Sequence, residues 1–89
     1  MQHFSGNIQD GNQVLVENAE GILFVNAPPG RMKSWHGTFD LPTGKHIEVG
    51  GRYRLELSDG RSGEILIKRV HLNSTGMNAV EFQGSGPLQ

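Results

Sequence analysis

The segment NAPPGRMKSWHGTF, residues 26–39, carries the residue types in this chain best suited to binding a ligand. Arg31, Lys33, Trp35 and His36 lie within six positions of one another, directly after a proline-glycine turn. Basic side chains attract a phosphate backbone, and an indole face offers a stacking surface to a base or a sugar. These four residues are therefore the candidate ligand-binding site, suited to a nucleic acid or an oligosaccharide, or to anchoring a peptide.

A second interpretation places the same tryptophan inside the protein. Trp35, Gly37 and Phe39 alternate along the chain, as side chains on one face of a β-strand do. Trp35 is then the largest residue of a small core, and Arg31 and Lys33 are solvated loop charges. The two interpretations differ in one observable, the exposed fraction of the indole.

Histidine, serine and acidic residues are present, but their spacing is not typical of catalysis. The serines lie outside any Gly-x-Ser-x-Gly nucleophile turn, and no glycine-rich run resembles a phosphate-binding loop. The chain has no cysteine, which excludes disulfides and thiolate chemistry. No paired-ligand metal spacing is formed by the four histidines, His3, His36, His46 and His71. We expect no catalytic residue, metal or cofactor; an enzyme would need two or more histidines and carboxylates converging in one cleft.

Length and charge narrow the class of protein. The 89 residues allow a single small domain, 1–89, and the formal net charge of −1 gives no overall field that would recruit nucleic acid or an anionic membrane. The first twenty residues lack the basic start and apolar run of a signal peptide. No apolar stretch approaches the roughly 20 residues that span a bilayer. We therefore expect a soluble, cytoplasmic protein.

Short apolar runs bounded by Gly, Asn, Asp, Ser or Pro indicate strands throughout, and no window has helical periodicity. The predicted strands are 2–8, 13–17, 22–26, 35–40, 46–57 (with Gly50-Gly51 as a candidate break), 63–72 and 77–83. With no room for crossover helices, they must pair mostly antiparallel. The predicted fold is all-β: a small antiparallel β-barrel in the size class of SH3-like, OB-like and PilZ-like barrels, or a compact sandwich of six to seven short strands. Residues 84–89 are predicted to form a loose tail.

The stretch YRLELSDGRSGEILI predicts a hairpin with a defined register. A three-residue loop, Ser58-Asp59-Gly60, opposes Tyr53 to Ile65 and Arg54 to Glu64, so the apolar residues share one face and opposite charges meet on the other. Glycine at the third loop position suits a type I turn followed by a G1 bulge. The aspartate of this loop is therefore a turn residue and not a catalytic acid.

The same Asp-Gly pair occurs upstream, in FSGNIQDGNQVLV. A three-residue loop, Gln9-Asp10-Gly11, would oppose Phe4 to Val16 and Gly6 to Val14. The two segments then form similar hairpins.

One predicted strand changes its phase. Ile65 and Ile67 are odd-numbered, whereas Val70 and Leu72 are even-numbered. If both pairs are buried, a bulge or bend near Lys68-Arg69 must shift the alternation by one.

The apolar pattern also predicts the core and suggests a function. The run 22–25 is apolar on both faces, so it either lies centrally in the sheet or presents one face to a partner. Together with the missing catalytic pattern, this run favours a non-catalytic protein-interaction or assembly module, with an unknown protein or a second copy as partner. The alternative is the nucleic-acid or oligosaccharide binder using 31–36.

The predicted core is Phe4, Ile8, Val14, Val16, Ile22, Phe24, Trp35, Phe39, Tyr53, Leu55, Leu57, Ile65, Ile67, Val70, Val80 and Phe82.

The second half of the chain resembles the late strands of PilZ-type cyclic-dinucleotide-binding barrels, through GRYRLELSDGRSGEILIKRV and NAVEF. The family's ligand motifs are an Arg-x-x-x-Arg segment and a later Asp/Asn-x-Ser-x-x-Gly. This chain has Arg52-x-Arg54 instead, and Asn73 stands three residues before Gly76 where the second motif needs serine. The resemblance therefore implies a barrel and no ligand.

Overall fold

The computed structural model describes residues 2–26, 29–30, 34–42, 44–71 and 77–89. Every regular element in these residues is a strand, and none of them is a helix that could cross a membrane. The six strands are β1 (Gln2–Asp10), β2 (Gln13–Asn26), β3 (Ser34–Pro42), β4 (Arg52–Leu57), β5 (Ser62–His71) and β6 (Met77–Ser85).

The strands form a closed barrel in the order β1-β2-β3-β6-β5-β4, with every neighbouring pair antiparallel. The predicted all-β barrel is confirmed. Two predicted strands, 13–17 and 22–26, are one continuous strand, β2, and the predicted strand 46–57 begins only at Arg52. Before Arg52, Ile47 is buried, Gly50 N–H donates to the Ile67 carbonyl and Ile67 N–H donates to the Gly51 carbonyl.

The β4–β5 hairpin has the predicted register. Tyr53 opposes Ile65 and Arg54 opposes Glu64. Gly60 has a φ of 98°, the left-handed region that glycine adopts without steric cost. The predicted bulge in β5 is also present, since the β5–β6 register shifts between Ile67 and Arg69.

The register predicted for β1–β2 is wrong. The loop has two residues after Asp10, and Asp10 opposes Gln13. Two register shifts then follow along the ladder, so that Phe4 opposes Gly21 and not Val16. The physical reason is that Gly11, with a φ of 60°, stands first in a two-residue turn, where positive φ is required in type II′ hairpins.

A bulge in β2 reverses which residues point inward. Asn18 has a φ of 53° and its N–H donates to Asn7 Oδ1 at 3.0 Å. Before the bulge the even-numbered Val16 is buried, and after it the odd-numbered Ala19 and Leu23 are buried. The extra residue shifts the alternation by one, as strand bulges do.

The core agrees with most of the predicted residues and differs at five. Val14 and Phe24 are 38% and 37% exposed, and Ile22, Tyr53 and Val70 are only half-buried. Among the described residues, four buried hydrophobic ones were not predicted: Ala19, Leu23, Leu41 and Ile47. The β2 bulge explains why the prediction and the structure differ at four residues: Ala19, Ile22, Leu23 and Phe24.

The C-terminal residues pack on the barrel, which differs from the predicted loose tail 84–89. Strand β6 continues to Ser85. Beyond it, Gln89 N–H donates to the Ser62 carbonyl at 2.9 Å and the Gln89 carbonyl accepts from Ser62 N–H. Leu88 packs against the core. Backbone pairing and apolar contact together hold this segment in place.

Candidate functional site

The four predicted ligand-binding residues do not form one site in the structure. Arg31 and Lys33 lie outside the described residues. Trp35 is buried, with 3% of its surface exposed. His36 is exposed on the outside of the barrel. Because neighbouring strand residues point to opposite faces, Trp35 and His36 cannot line one continuous surface.

Trp35 fills one end of the barrel. Its Nε1–H donates to the carbonyl of Gly86 at 2.9 Å, and its ring meets Phe82 edge-on with centroids 6.2 Å apart. The ring lies so close to Gly84 and Gly63 that a Cβ at either position would collide with it. The indole is therefore a core element, and stacking a base on its face would require this end of the barrel to open.

His36 instead takes part in an aromatic pair on the outer surface. The Phe24 and His36 rings stack nearly parallel, at 13°, with centroids 5.1 Å apart. The two residues are direct cross-strand partners on β2 and β3. This geometry is the offset stacking that aromatic pairs favour.

The stacked pair belongs to a row that runs across four strands. His36 opposes Gln83 on β6, and Gln83 opposes Leu66 on β5. Ile22 lies two residues from Phe24 on the same outer face of β2. We call Ile22, Phe24, His36, Leu66 and Gln83 the outer band.

Sequence reasoning missed the outer band because it placed Phe24 and Ile22 in the core. The run 22–25 is apolar on both faces and indicates a surface for a partner, but the sequence does not show which of its residues face outward. Only one of its two faces can point into a closed barrel. The other face must be outside, whichever phase the strand adopts.

The basic side chains of the 52–72 hairpin are balanced by acids. Arg52 Nη1 lies 3.2 Å from Glu64 Oε1. His71 Nε2 lies 3.0 Å from Glu81 Oε2, and Arg69 Nε lies 3.9 Å from the same oxygen. These exposed pairs leave no concentrated positive patch on this hairpin for an anionic polymer.

The Glu81 carboxyl on this surface has a lowered pKa. The hydrogen bond from His71 lowers the pKa of Glu81, with further lowering by the charges of His71 and Arg69. Within the described part of the chain, no group of three or more His, Asp or Glu side chains could hold a metal ion.

No family model matches this chain, and no curated protein or solved structure shows significant similarity to it.

Proposed function

We propose that this domain is a non-catalytic module that binds another protein, or a second copy of itself, through the outer band. The observation that carries the proposal is the aromatic pair of Phe24 and His36 stacked on the outside of a closed barrel. The barrel interior is filled by other residues, so this pair is not needed to complete the core.

The composition of the outer band supports a protein partner. Phe24 is 37% exposed, and Ile22 on the same strand is half-buried; Leu66 is half-buried too, but it lies on β5, three strands away from β2. Interfaces are enriched in aromatic residues, whose large rigid surfaces lose little entropy on binding. His36 and Gln83 add hydrogen-bonding groups among these apolar side chains. A surface with an apolar centre and a few polar groups is typical of recognition between proteins.

Self-association is tested by sedimentation over a range of protein concentrations. We expect the wild-type domain to sediment faster than a 9.7 kDa monomer at high concentration. Phe24→Asp should return it to the monomer, because a carboxylate at the centre of an interface is buried without a partner. Val14→Asp is the matched control: it changes a similarly exposed residue of the same strand, outside the outer band.

Binding of a different protein is tested by photo-crosslinking. A photoreactive amino acid at Gln83 should give one discrete product with the partner, and the same amino acid at Gln13, at the far end of β2, should not. Phe24→Asp should remove the product. A domain that stays monomeric at every concentration and gives the same products from both positions contradicts the proposed function.

A further inference from the structure

The barrel is split at one end, between β3 and β6. Their ladder ends where His36 opposes Gln83, although β3 begins at Ser34 and β6 continues to Ser85. A cleft of about 530 Å³ opens at this split. Small-molecule sites commonly have volumes of roughly 300–1,000 Å³ and occur in the mouths of β-barrels. Its lining includes Val25, Ser34, Trp35, Arg61, Pro87 and Leu88.

Val25 is an inward-facing side chain that the barrel leaves uncovered. It has the same parity as Leu23, which is buried at 1% exposure, yet Val25 is 47% exposed. Burying apolar surface is worth about 25 cal/mol per Å². An apolar group seated in the cleft would therefore gain free energy by covering Val25 and the half-buried Leu88.

The floor of the cleft is rigid. Trp35 is held by its hydrogen bond to Gly86 and by close packing over Gly84 and Gly63. A ligand that docks there does not have to order the indole first, and binding loses less entropy as a result.

A guanidinium at the rim is held in a fixed orientation. Arg61 Nε and Nη2 each lie 2.9 Å from Asp59 Oδ2, and Asp59 Oδ1 accepts from the Arg61 N–H at 3.0 Å. Guanidinium carries five N–H donors in one plane, and Asp59 engages only the Nε–Nη2 side. The Nη1 side remains directed away from Asp59, on a side chain that is 35% exposed. Such an arginine is suited to a carboxylate or another planar anion.

We propose that this cleft binds a small amphipathic anion. An aromatic or short branched apolar body lies against Val25 and Leu88, next to Trp35 but not stacked on its ring, and its carboxylate, or an equivalent anionic group, accepts hydrogen bonds from Arg61 with Ser34 close by. The site is separate from the outer band, which lies on the outer face of the barrel.

Two related dyes test the proposal with the full chain. One is 8-anilinonaphthalene-1-sulfonate, an aromatic anion, and the other is N-phenyl-1-naphthylamine, its uncharged counterpart. We expect saturable one-site binding of both dyes, and energy transfer from Trp35, the sole tryptophan. Val25→Glu should weaken the anionic dye at least tenfold, since its carboxylate repels the sulfonate of the dye and competes with it for Arg61. Val14→Glu should leave both affinities unchanged.

Arginine variants separate the anionic contact from the apolar one. Arg61→Gln should weaken the anionic dye about tenfold and the uncharged dye by no more than about twofold. Arg69→Gln, in β5 and outside the residues that line the cleft, should change the affinity for neither dye. Phe24→Asp should also leave dye binding intact, which keeps this test independent of the proposed protein interface.

Three results would overturn the proposal: binding that does not saturate, equal losses for Val25→Glu and Val14→Glu, or equal losses of both dyes in Arg61→Gln. Far-ultraviolet circular dichroism and thermal melting check that each variant is folded. If Arg61→Gln does not fold, the comparison of Val25→Glu with Val14→Glu still decides the result.

Discussion

The two Asp-Gly hairpins of this barrel have the same dipeptide and different turns. In β4–β5, Gly60 is the last of three loop residues, and its N–H donates to the Leu57 carbonyl at 3.1 Å. In β1–β2, Gly11 is the first of two loop residues. Both glycines have positive φ, 98° and 60°. The dipeptide therefore marks a turn, whereas the register depends on which loop position the glycine occupies.

The hairpins also differ beyond their turns. The β4–β5 pairing keeps one register along its whole length, whereas β1–β2 shifts twice. The bulge at Asn18 is stabilised by the side chain of Asn7. Bulges increase local twist and bend a strand, and β2 has to bend because it pairs with β1 and with β3 around the barrel. The register of the regular β4–β5 hairpin can be predicted from its sequence, whereas the register of the bulged β1–β2 hairpin cannot.

The largest difference between the hairpins should appear when predicted core residues are truncated. Ile65→Ala, in β5, removes a fully buried side chain and should lower the free energy of unfolding by about 2–5 kcal/mol. Val14→Ala, in β2, should lower it by less than about 0.5 kcal/mol, because Val14 is 38% exposed. Urea unfolding of both variants gives the two values. Equal losses would mean that Val14 belongs to the core after all.

The turn glycines should show the next largest effect. Gly60→Ala forces a Cβ into left-handed backbone and should lower the free energy of unfolding by about 1–2 kcal/mol. Ser58→Ala in the same loop is the control, with an expected change below about 0.5 kcal/mol. A neutral or stabilising Gly60→Ala, measured by thermal and urea unfolding, would contradict the G1-bulge turn.

The β2 bulge should contribute a smaller amount. Asn7→Ala removes the acceptor for the Asn18 N–H and should cost about 1 kcal/mol. Asn18→Gly keeps that N–H and relieves the positive φ, so it should change stability by less than about 0.5 kcal/mol. The pair distinguishes loss of the hydrogen bond from backbone strain. If Asn18→Gly were the more damaging variant in urea unfolding, the Asn18 side chain itself would hold the bulge.

The smallest effect on stability should come from the Asp59 carboxyl and should be seen at acidic pH. Hydrogen bonding from the Arg61 backbone, followed by the Arg61 side chain and charge, lowers the pKa of Asp59 in the folded protein. A lowered native pKa stabilises the fold above the unfolded pKa, about 3.9 for aspartate, and that stability is lost as the pH falls through the native value.

Asp59→Asn should therefore make stability below about pH 4 less dependent on pH, because the variant has no proton to bind at this position. Ser58→Ala, which removes no carboxylate, should keep the wild-type dependence. Urea midpoints measured from pH 2.5 to 6 would show the difference, and identical slopes for Asp59→Asn and wild type would rule out a contribution from Asp59.

A separate prediction concerns Trp35. Because its indole is buried and hydrogen-bonded to Gly86, titration with single-stranded oligonucleotides or oligosaccharides should leave its fluorescence unchanged. A shift of the emission maximum on saturation would show that the barrel end opens and would favour the nucleic-acid or oligosaccharide alternative.

Local patterns in the chain determined the all-β class, the β4–β5 register and the bulge after Ile67, because each depends on alternation and turn chemistry between neighbouring residues. The tertiary structure decided the phase of β2, and with it the exposure of Phe24. The bulge at Asn18 is stabilised by the side chain of Asn7 on β1, so the pattern within β2 does not reveal it. The cleft beside Trp35 was also decided by the tertiary structure. It lies where the pairing of β3 with β6 ends, and these two strands are distant in the sequence.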